Sequence, residues 1–137
     1  MTSKSLVFNC QIDVYLKDTN TYGNVYFSRY FDWQGICRER FWITSIIFDE
    51  PNIPIVLLTK HAEMIYCREV VAFQSVTAQL RIKSISRASA VARIDFLQLD
   101  GTLIGYGFQT IVFLNPNKKI IRIPTTIRNR LTAYLAD

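Results

Sequence analysis

Residues 25–47 read VYFSRYFDWQGICRERFWITSII, and their apolar side chains recur at helical spacing. Tyr26, Tyr30, Trp33, Cys37 and Phe41 make one stripe, and Phe31, Gly35, Arg38 and Trp42 make its neighbour. A helix lying on a surface needs one apolar stripe; two predict a helix wrapped by the rest of the chain. The preceding stretch, Asp18-Thr19-Asn20-Thr21-Tyr22-Gly23-Asn24, is rich in turn and capping residues. It predicts a loop that opens the helix, with Asn24 as N-cap.

Working outward, residues 6–17 alternate: Leu6, Phe8, Cys10, Ile12, Val14 and Leu16 share one face, and Asn9, Gln11, Asp13 and Lys17 the other. Period two predicts a half-buried strand. Past the helix, Pro51 and Pro54 mark a loop. Segments 56–67, 73–84, 88–99 and 102–114 are rich in branched and aromatic residues and read as strands. Asp100-Gly101 joins the last two as a hairpin. Gly105 and Gly107 fall on one face of the final strand, which calls for a close approach by a ligand or by the helix. After the turn Asn115-Pro116-Asn117, residues 119–123 read as a short strand, and Pro124 opens a helix to 134. One helix can bury two stripes only if a curved antiparallel sheet wraps it, so the expected class is α+β in a single domain over 1–137.

Composition excludes several classes. With 137 residues, 50% hydrophobic and 20% charged, the chain reads as one globular domain rather than a disordered segment. No apolar run approaches the roughly 18 residues of a membrane span. Met1-Thr2-Ser3-Lys4 leads straight into the alternating segment without a leader's apolar stretch, so a cytoplasmic location is expected. Cys10, Cys37 and Cys67 are widely spaced and odd in number, which favours free thiols. With His61 the single histidine, a Cys/His zinc site is not expected, and neither metal nor cofactor is called for. The net charge of +5 is spread over Arg81-Ile82-Lys83, Lys118-Lys119 and Arg128-Asn129-Arg130. These bases read as solvated faces or as an attraction toward a negatively charged carrier. They are not interleaved with aromatics in one stretch, which argues against nucleic acid as partner.

Tyr15-Leu16-Lys17-Asp18-Thr19-Asn20, then Gly23-Asn24-Val25-Tyr26-Phe27, Tyr30 and Trp33, resembles the signature of the 4-hydroxybenzoyl-CoA thioesterase-like hotdog family. That signature reads approximately D-T-D-x-x-G-x-V-Y, followed by a helix carrying an A-R pair. The resemblance implies a hotdog domain that hydrolyses acyl thioesters, with two chains pairing their helices on a shared sheet as a homodimer or homotetramer. The departures are informative. The third residue of D-T-D is the family's base or nucleophile, and here it is Asn20. Other hotdog enzymes place a glutamate on the central helix three positions before the arginine, and here that position is Gly35. One branch is similar at these very points: the thioesterases of enediyne polyketide biosynthesis, with D-T-N-x-x-G-N-V-Y-F and W-Q-G-x-C-R-E. This chain has Asp18-Thr19-Asn20, Gly23-Asn24-Val25-Tyr26-Phe27 and Trp33-Gln34-Gly35-Ile36-Cys37-Arg38-Glu39. The resemblance implies Asn20 and Arg38 as catalytic residues, and a polyene chain on an acyl carrier protein as substrate.

Those residues suit hydrolysis without a carboxylate. An amide accepts no proton at neutral pH, but it can hold a water or a carbonyl through its NH₂ and C=O groups. A guanidinium is always charged and offers a fixed fork of donors to a developing oxyanion. The helix start supplies unpaired N–H groups near Val25, Tyr26 and Phe27, with Phe27 favoured by the family pattern. Gly23 and Asn24 shape this loop, and Tyr30 and Gly35 are candidates for the substrate pocket. At 1.5 Å rise per residue, Arg38 lies about 16 Å along the axis from Phe27. Asn20 and Arg38 are therefore expected to meet across a dimer interface.

Each assignment has a plainer rival. Arg38 can be an ion pair with Glu39, Glu63 or Glu69, and Asn20 an Asx-turn residue. Cys37 sits on an apolar stripe without a nearby histidine and reads as packing rather than nucleophile. His61 reads as structural or exposed, and Tyr22, Tyr26 and Tyr30 as packing. Glu63 and Glu69 stand as reserve general bases. For function, the alternatives are an acyl-CoA thioesterase of general metabolism, acting on aryl or medium-chain groups, and a non-catalytic acyl-binding hotdog protein.

Overall fold

Five runs of branched and aromatic residues form one antiparallel sheet that curves around a single long helix. The structure, a computed structural model, describes residues 5–136. The start of the chain at 1–4, on which the reading of the leader turns, lies outside the described residues. The strands are β1 (Phe8–Asp13), β2 (Val56–Tyr66), β3 (Ser75–Ile85), β4 (Ser89–Gln98) and β5 (Leu103–Leu114). The helices are α1 (Arg29–Phe41) and α2 (Thr125–Thr132). Across the sheet the order is β1-β3-β4-β5-β2, every neighbouring pair being antiparallel. This is the expected α+β hotdog arrangement, with α1 as the filling.

The stripe Tyr30, Trp33, Cys37 and Phe41 is buried, facing Phe96 and the branched residues of β3 and β4. Burying a large apolar side chain contributes roughly 1.5–3 kcal/mol, so this stripe anchors the helix. The second stripe, Phe31, Gly35, Arg38 and Trp42, is only half-buried. Beyond Phe41 the helix continues as one π-helical turn, Trp42–Ile46. The Arg130 guanidinium forks onto both carboxylate oxygens of Asp49 at 2.8 Å and donates to the Ile46 carbonyl, which ties this end to α2.

Three local readings are corrected. The helix begins at Arg29 rather than Val25: Ser28 occupies the N-cap, and Asn24 instead bridges to Val71. Val25 is drawn into extended pairing with Thr19, leaving Tyr26 outside the helix and exposed. The first strand ends at Asp13, because the chain turns into a 3₁₀ segment, Leu16–Asp18, closed by the Asp18 carboxylate on the Tyr15 N–H. Leu16 is consequently exposed. Residues 119–123 form no strand; a lone bridge joins Leu114 to Ile120.

One irregularity matters for the site. In the β2–β5 ladder the register shifts between Thr59 and His61, so Lys60 is an inserted residue. On either side of it Leu57, Thr59, Ala62 and Met64 pair with Phe113, Ile111, Gln109 and Gly107. The bulge keeps both halves of β2 in phase, with these residues toward the helix and His61, Glu63 and Ile65 away from it.

If the Trp33 stripe is the anchor, Trp33→Ala will destabilise the fold by about 3–5 kcal/mol, and Ile36→Ala, on the exposed face, by less than about 1 kcal/mol. Urea unfolding monitored by circular dichroism measures both.

Candidate active site

The loop at 18–28 is built by backbone pairing. Asn20 N–H donates to the Asn24 carbonyl at 2.9 Å, and Gly23 N–H returns to the Asn20 carbonyl at 3.0 Å. Gly23 holds φ at +89°, a value that L side chains rarely adopt, so glycine is what lets the loop close. The Asn20 side-chain oxygen accepts the Tyr22 N–H at 2.9 Å. The Asx-turn role and a chemical role therefore coexist: the turn fixes the amide plane, and the NH₂ group has no partner among the described residues. Asp18 is buried, and its carboxylate is committed to the Tyr15 N–H at 2.9 Å and the Lys17 ammonium at 3.4 Å. It serves the loop's architecture.

Of the three amides expected to serve an oxyanion, two are already engaged. Val25 N–H donates to the Val70 carbonyl and Tyr26 N–H to the Asp18 carbonyl, each at 2.8 Å. Phe27 N–H has no partner among the described residues. Its peptide is held from the other side, because the Tyr26 carbonyl accepts Arg29 N–H at 3.0 Å. The Tyr66 hydroxyl donates to the Phe27 carbonyl at 2.8 Å and so pins the next peptide. The loop thus presents the Asn20 NH₂ and the Phe27 N–H as two free donors.

Arg38 stands apart from this loop. Its Nη1 donates to Thr59 Oγ1 on β2 at 2.5 Å and to Gln109 Oε1 on β5 at 3.1 Å. Neither Glu39, Glu63 nor Glu69 pairs with it among the described residues, which removes the ion-pair reading. Nε is buried without a partner, and Nη2 also makes no hydrogen bond among the described residues. Arg38, Trp42 and Leu57 line a surface pocket of about 270 Å³ together with Glu39 and Ile43. The same three residues reach down to a narrow apolar cavity walled by Phe41, Leu80, Ile111 and Phe113. A cation that pairs with no acid among the described residues, at the mouth of an apolar cleft, suits an electron-rich carbonyl attached to a hydrocarbon chain.

Other candidates fall outside this arrangement. Tyr30 is buried against Trp33, Tyr66 and Phe96. Burial, with Tyr66 beside it, pushes its hydroxyl up to about 12, so it packs as a neutral ring. Gly35 is half-buried with open space where a side chain would stand. Cys37 is fully buried, and burial, aided by the neighbouring Cys10, pushes its thiol up to about 12. A thiol so placed carries no thiolate at neutral pH. Glu63 is exposed, turned away from the helix, and contacts His61 at 3.2 Å; Glu69 is exposed.

Sequence reasoning missed Gln34, Thr59, Tyr66 and Gln109. Gln34 and Gln109 are buried amides on otherwise apolar faces, and that pattern was the available signal.

A family model described as the thioesterase-like superfamily matches residues 14–131. No curated protein matches the chain in sequence. Among solved structures, a dynemicin thioesterase, whose crystal structures reveal induced-fit and allosteric effects upon polyene binding, superposes with a TM-score of 0.87 at 23% identity. That match covers 96% of this chain and 99% of the other. A 1,4-dihydroxy-2-naphthoyl-CoA thioesterase from Synechocystis gives 0.79 at 19% identity, covering 92% and 96%. The protein SAV2348 from Staphylococcus aureus, in complex with CoA, gives 0.87 at 14% identity, covering 98% and 87%. At these identities the likenesses establish the fold.

Replacing Cys37 by alanine is expected to leave thioester turnover unchanged while lowering stability by about 1 kcal/mol. A steady-state assay beside a thermal melt checks this, and lost turnover in a folded protein would restore the thiol as a candidate nucleophile.

Proposed function

We propose that this chain, which belongs to the thioesterase-like superfamily, releases a polyketide-type acyl chain from an acyl carrier protein by a mechanism without a catalytic carboxylate. Family membership supports acyl thioester hydrolysis as the general activity. The observation that carries the finer reading is Arg38, a guanidinium held by a hydroxyl and an amide rather than by an acid. The polyene-binding thioesterase among the structural neighbours favours a long unsaturated acyl group.

In this reading water adds to the thioester carbonyl carbon and the carbonyl oxygen becomes an oxyanion. The C–S bond then breaks, and the thiol leaves with the proton that the water gave up. Asn20 NH₂ and Phe27 N–H orient the carbonyl and receive the oxyanion, each well-aimed donor being worth roughly 3 kcal/mol in the transition state. Arg38 supplies positive charge to the same oxygen or to the attacking water. Neither residue accepts a proton, so the thioester must be activated enough for donors alone to suffice.

The two halves belong to different ends of β2. Tyr66 holds the Phe27 loop at one end and Thr59 holds Arg38 toward the other, a separation of roughly 20 Å at about 3.3 Å per residue. β2 is also a free edge, and Val56, Leu58, Ile65 and Tyr66 on it are between 38% and 51% exposed. An eleven-residue edge carrying exposed apolar side chains is a surface that proteins normally cover. A second copy pairing antiparallel along β2 brings the partner subunit's Asn20 loop toward this protomer's Arg38. The proposed site is thus shared in a homodimer, of which a tetramer is a further doubling. Arg87 and Arg122, without acidic partners among the described residues and beside a depression of about 390 Å³, favour approach by an anionic carrier.

The readings separate in the laboratory. Asn20→Ala and Arg38→Ala are each expected to lower kcat by about 100-fold or more while the protein still folds, as circular dichroism checks. The wild-type rate is expected to show no acid limb near pH 4, the ordinary carboxylate range. A limb there that disappears in Glu63→Gln or Glu69→Gln would overturn the carboxylate-free mechanism. Matched carrier-protein and coenzyme A thioesters distinguish polyketide release from a general acyl-CoA hydrolase, and tight binding without product would identify an acyl-binding protein.

Mixed dimers test the shared site. Reassorting Asn20→Ala with Arg38→Ala chains restores one intact site per heterodimer, and hence about a quarter of wild-type turnover in a random mixture. No recovery, or full activity in a sedimenting monomer, excludes the shared site.

A further inference from the structure

We infer that Gln34 and Gln109 form a two-amide relay that aims the Arg38 guanidinium, making both of them positioning residues for turnover. The inference rests on the role proposed above for Arg38. The chain of bonds starts at a fixed backbone acceptor: the Glu63 carbonyl accepts Gln34 Nε2 at 3.1 Å. Gln34 Oε1 then accepts Gln109 Nε2 at 3.1 Å, and Gln109 Oε1 accepts Arg38 Nη1 at 3.1 Å.

The two ends of this chain dictate its direction. A peptide carbonyl only accepts and a guanidinium only donates. Both amides between them must therefore point NH₂ toward Glu63 and oxygen toward Arg38, since flipping either one leaves two facing donors or two facing acceptors. Gln34 is fully buried and Gln109 nearly so, where such a mismatch leaves polar groups without partners away from water and is costly. Nη1 commits both hydrogens, one to Gln109 and one to Thr59. Rotation about the guanidinium is thereby blocked, and Nη2 and Nε–H keep one fixed aim.

The choice of amide over acid has a chemical meaning. A glutamate at 109 would hold Arg38 equally well, but it would neutralise the charge on which oxyanion stabilisation draws. Glutamine orients the cation without pairing it with an acid. Gly107 belongs to the device: a β-carbon there would lie 2.5 Å from the Glu63 carbonyl oxygen and would collide with the Gln34 amide.

The test uses the full-length protein and reads Arg38 in two ways. With ¹⁵N-arginine labelling, the Arg38 Nη protons are expected to be resolved in the wild type and averaged in Gln109→Met, which keeps volume but removes both hydrogen bonds. The same variant and Gln34→Met are expected to lower kcat about 10- to 100-fold with KM changed less than about threefold, since a displacement near 1 Å can cost about 10²-fold. Gln109→Glu adds a readout that a purely structural role would not move. Its turnover is low at neutral pH and rises as pH falls to about 4 or below, where the introduced carboxyl becomes a neutral mimic of the amide. It also serves if the methionine variants fail to fold. Unchanged Arg38 line shapes in Gln109→Met, or Gln109→Glu turning over at the wild-type rate with a flat acid profile, overturns the relay. If Arg38→Ala abolishes turnover while the methionine variants do not, the relay fails and the site assignment stands. If Arg38→Ala is itself fully active, the site assignment fails first.

Discussion

The side chains that α1 extends toward β5 are spaced almost as the residues of that strand are. Along α1, positions four apart rise about 6 Å, and along β5, positions two apart rise about 6.6 Å. Tyr30, Gln34, Arg38 and Trp42 therefore run beside Gly105, Gly107, Gln109 and the Ile111–Phe113 end of β5, nearly in step. The contacts follow that order: Tyr30 stacks on Tyr66, opposite Gly105; Gln34 fills the space over Gly107; Arg38 meets Gln109; and Trp42 meets Phe113. Gly107 leaves the room that Gln34 needs, Gly105 the room that β2 and Met64 need, and larger residues take over where the cleft opens. The position of the guanidinium is thus a consequence of packing as much as of hydrogen bonding.

Much of this was legible from residues alone. Two apolar stripes over 25–47 demanded a wrapping sheet, and the alternating segments supplied strands close to the observed ones. The paired glycines announced a close approach, which proves to be the Gln34 side chain and the neighbouring strand rather than a ligand. The helix start was not legible. Tyr26 continues the helical spacing, but backbone pairing of Val25 with Val70 pulls the chain straight before the helix begins. Such a bond joins residues far apart in sequence, and no local pattern announces it. The end of the first strand failed for a similar reason: alternation carries through Leu16, while a buried Asp18 carboxylate turns the backbone earlier.

The candidate site was legible in its members and not in its wiring. Asn20 and Arg38 are picked out by their departures from a carboxylate pattern. That Asn20 spends its oxygen on a turn, that Phe27 holds the one open amide of its trio, and that Arg38 pairs with no acid among the described residues are facts of three-dimensional arrangement. Gln34 and Gln109, passed over in the sequence, form a polar network inside the core. Their partners come from three different elements. A neutral scaffold around a cation follows from the chemistry proposed: charge useful to a transition state must not be cancelled in the ground state.

The inserted Lys60 has a further consequence for how this strand can vary. Its side chain is exposed and makes no contact on which the site depends, so almost any residue would serve there. Removing it is another matter. Shortening the strand by one would turn either Thr59 and Leu57 or Ala62 and Met64 onto the solvent side, taking away the hydroxyl that braces Arg38 or the thioether that packs on Gln34. In this part of the chain, spelling is negotiable and length is not.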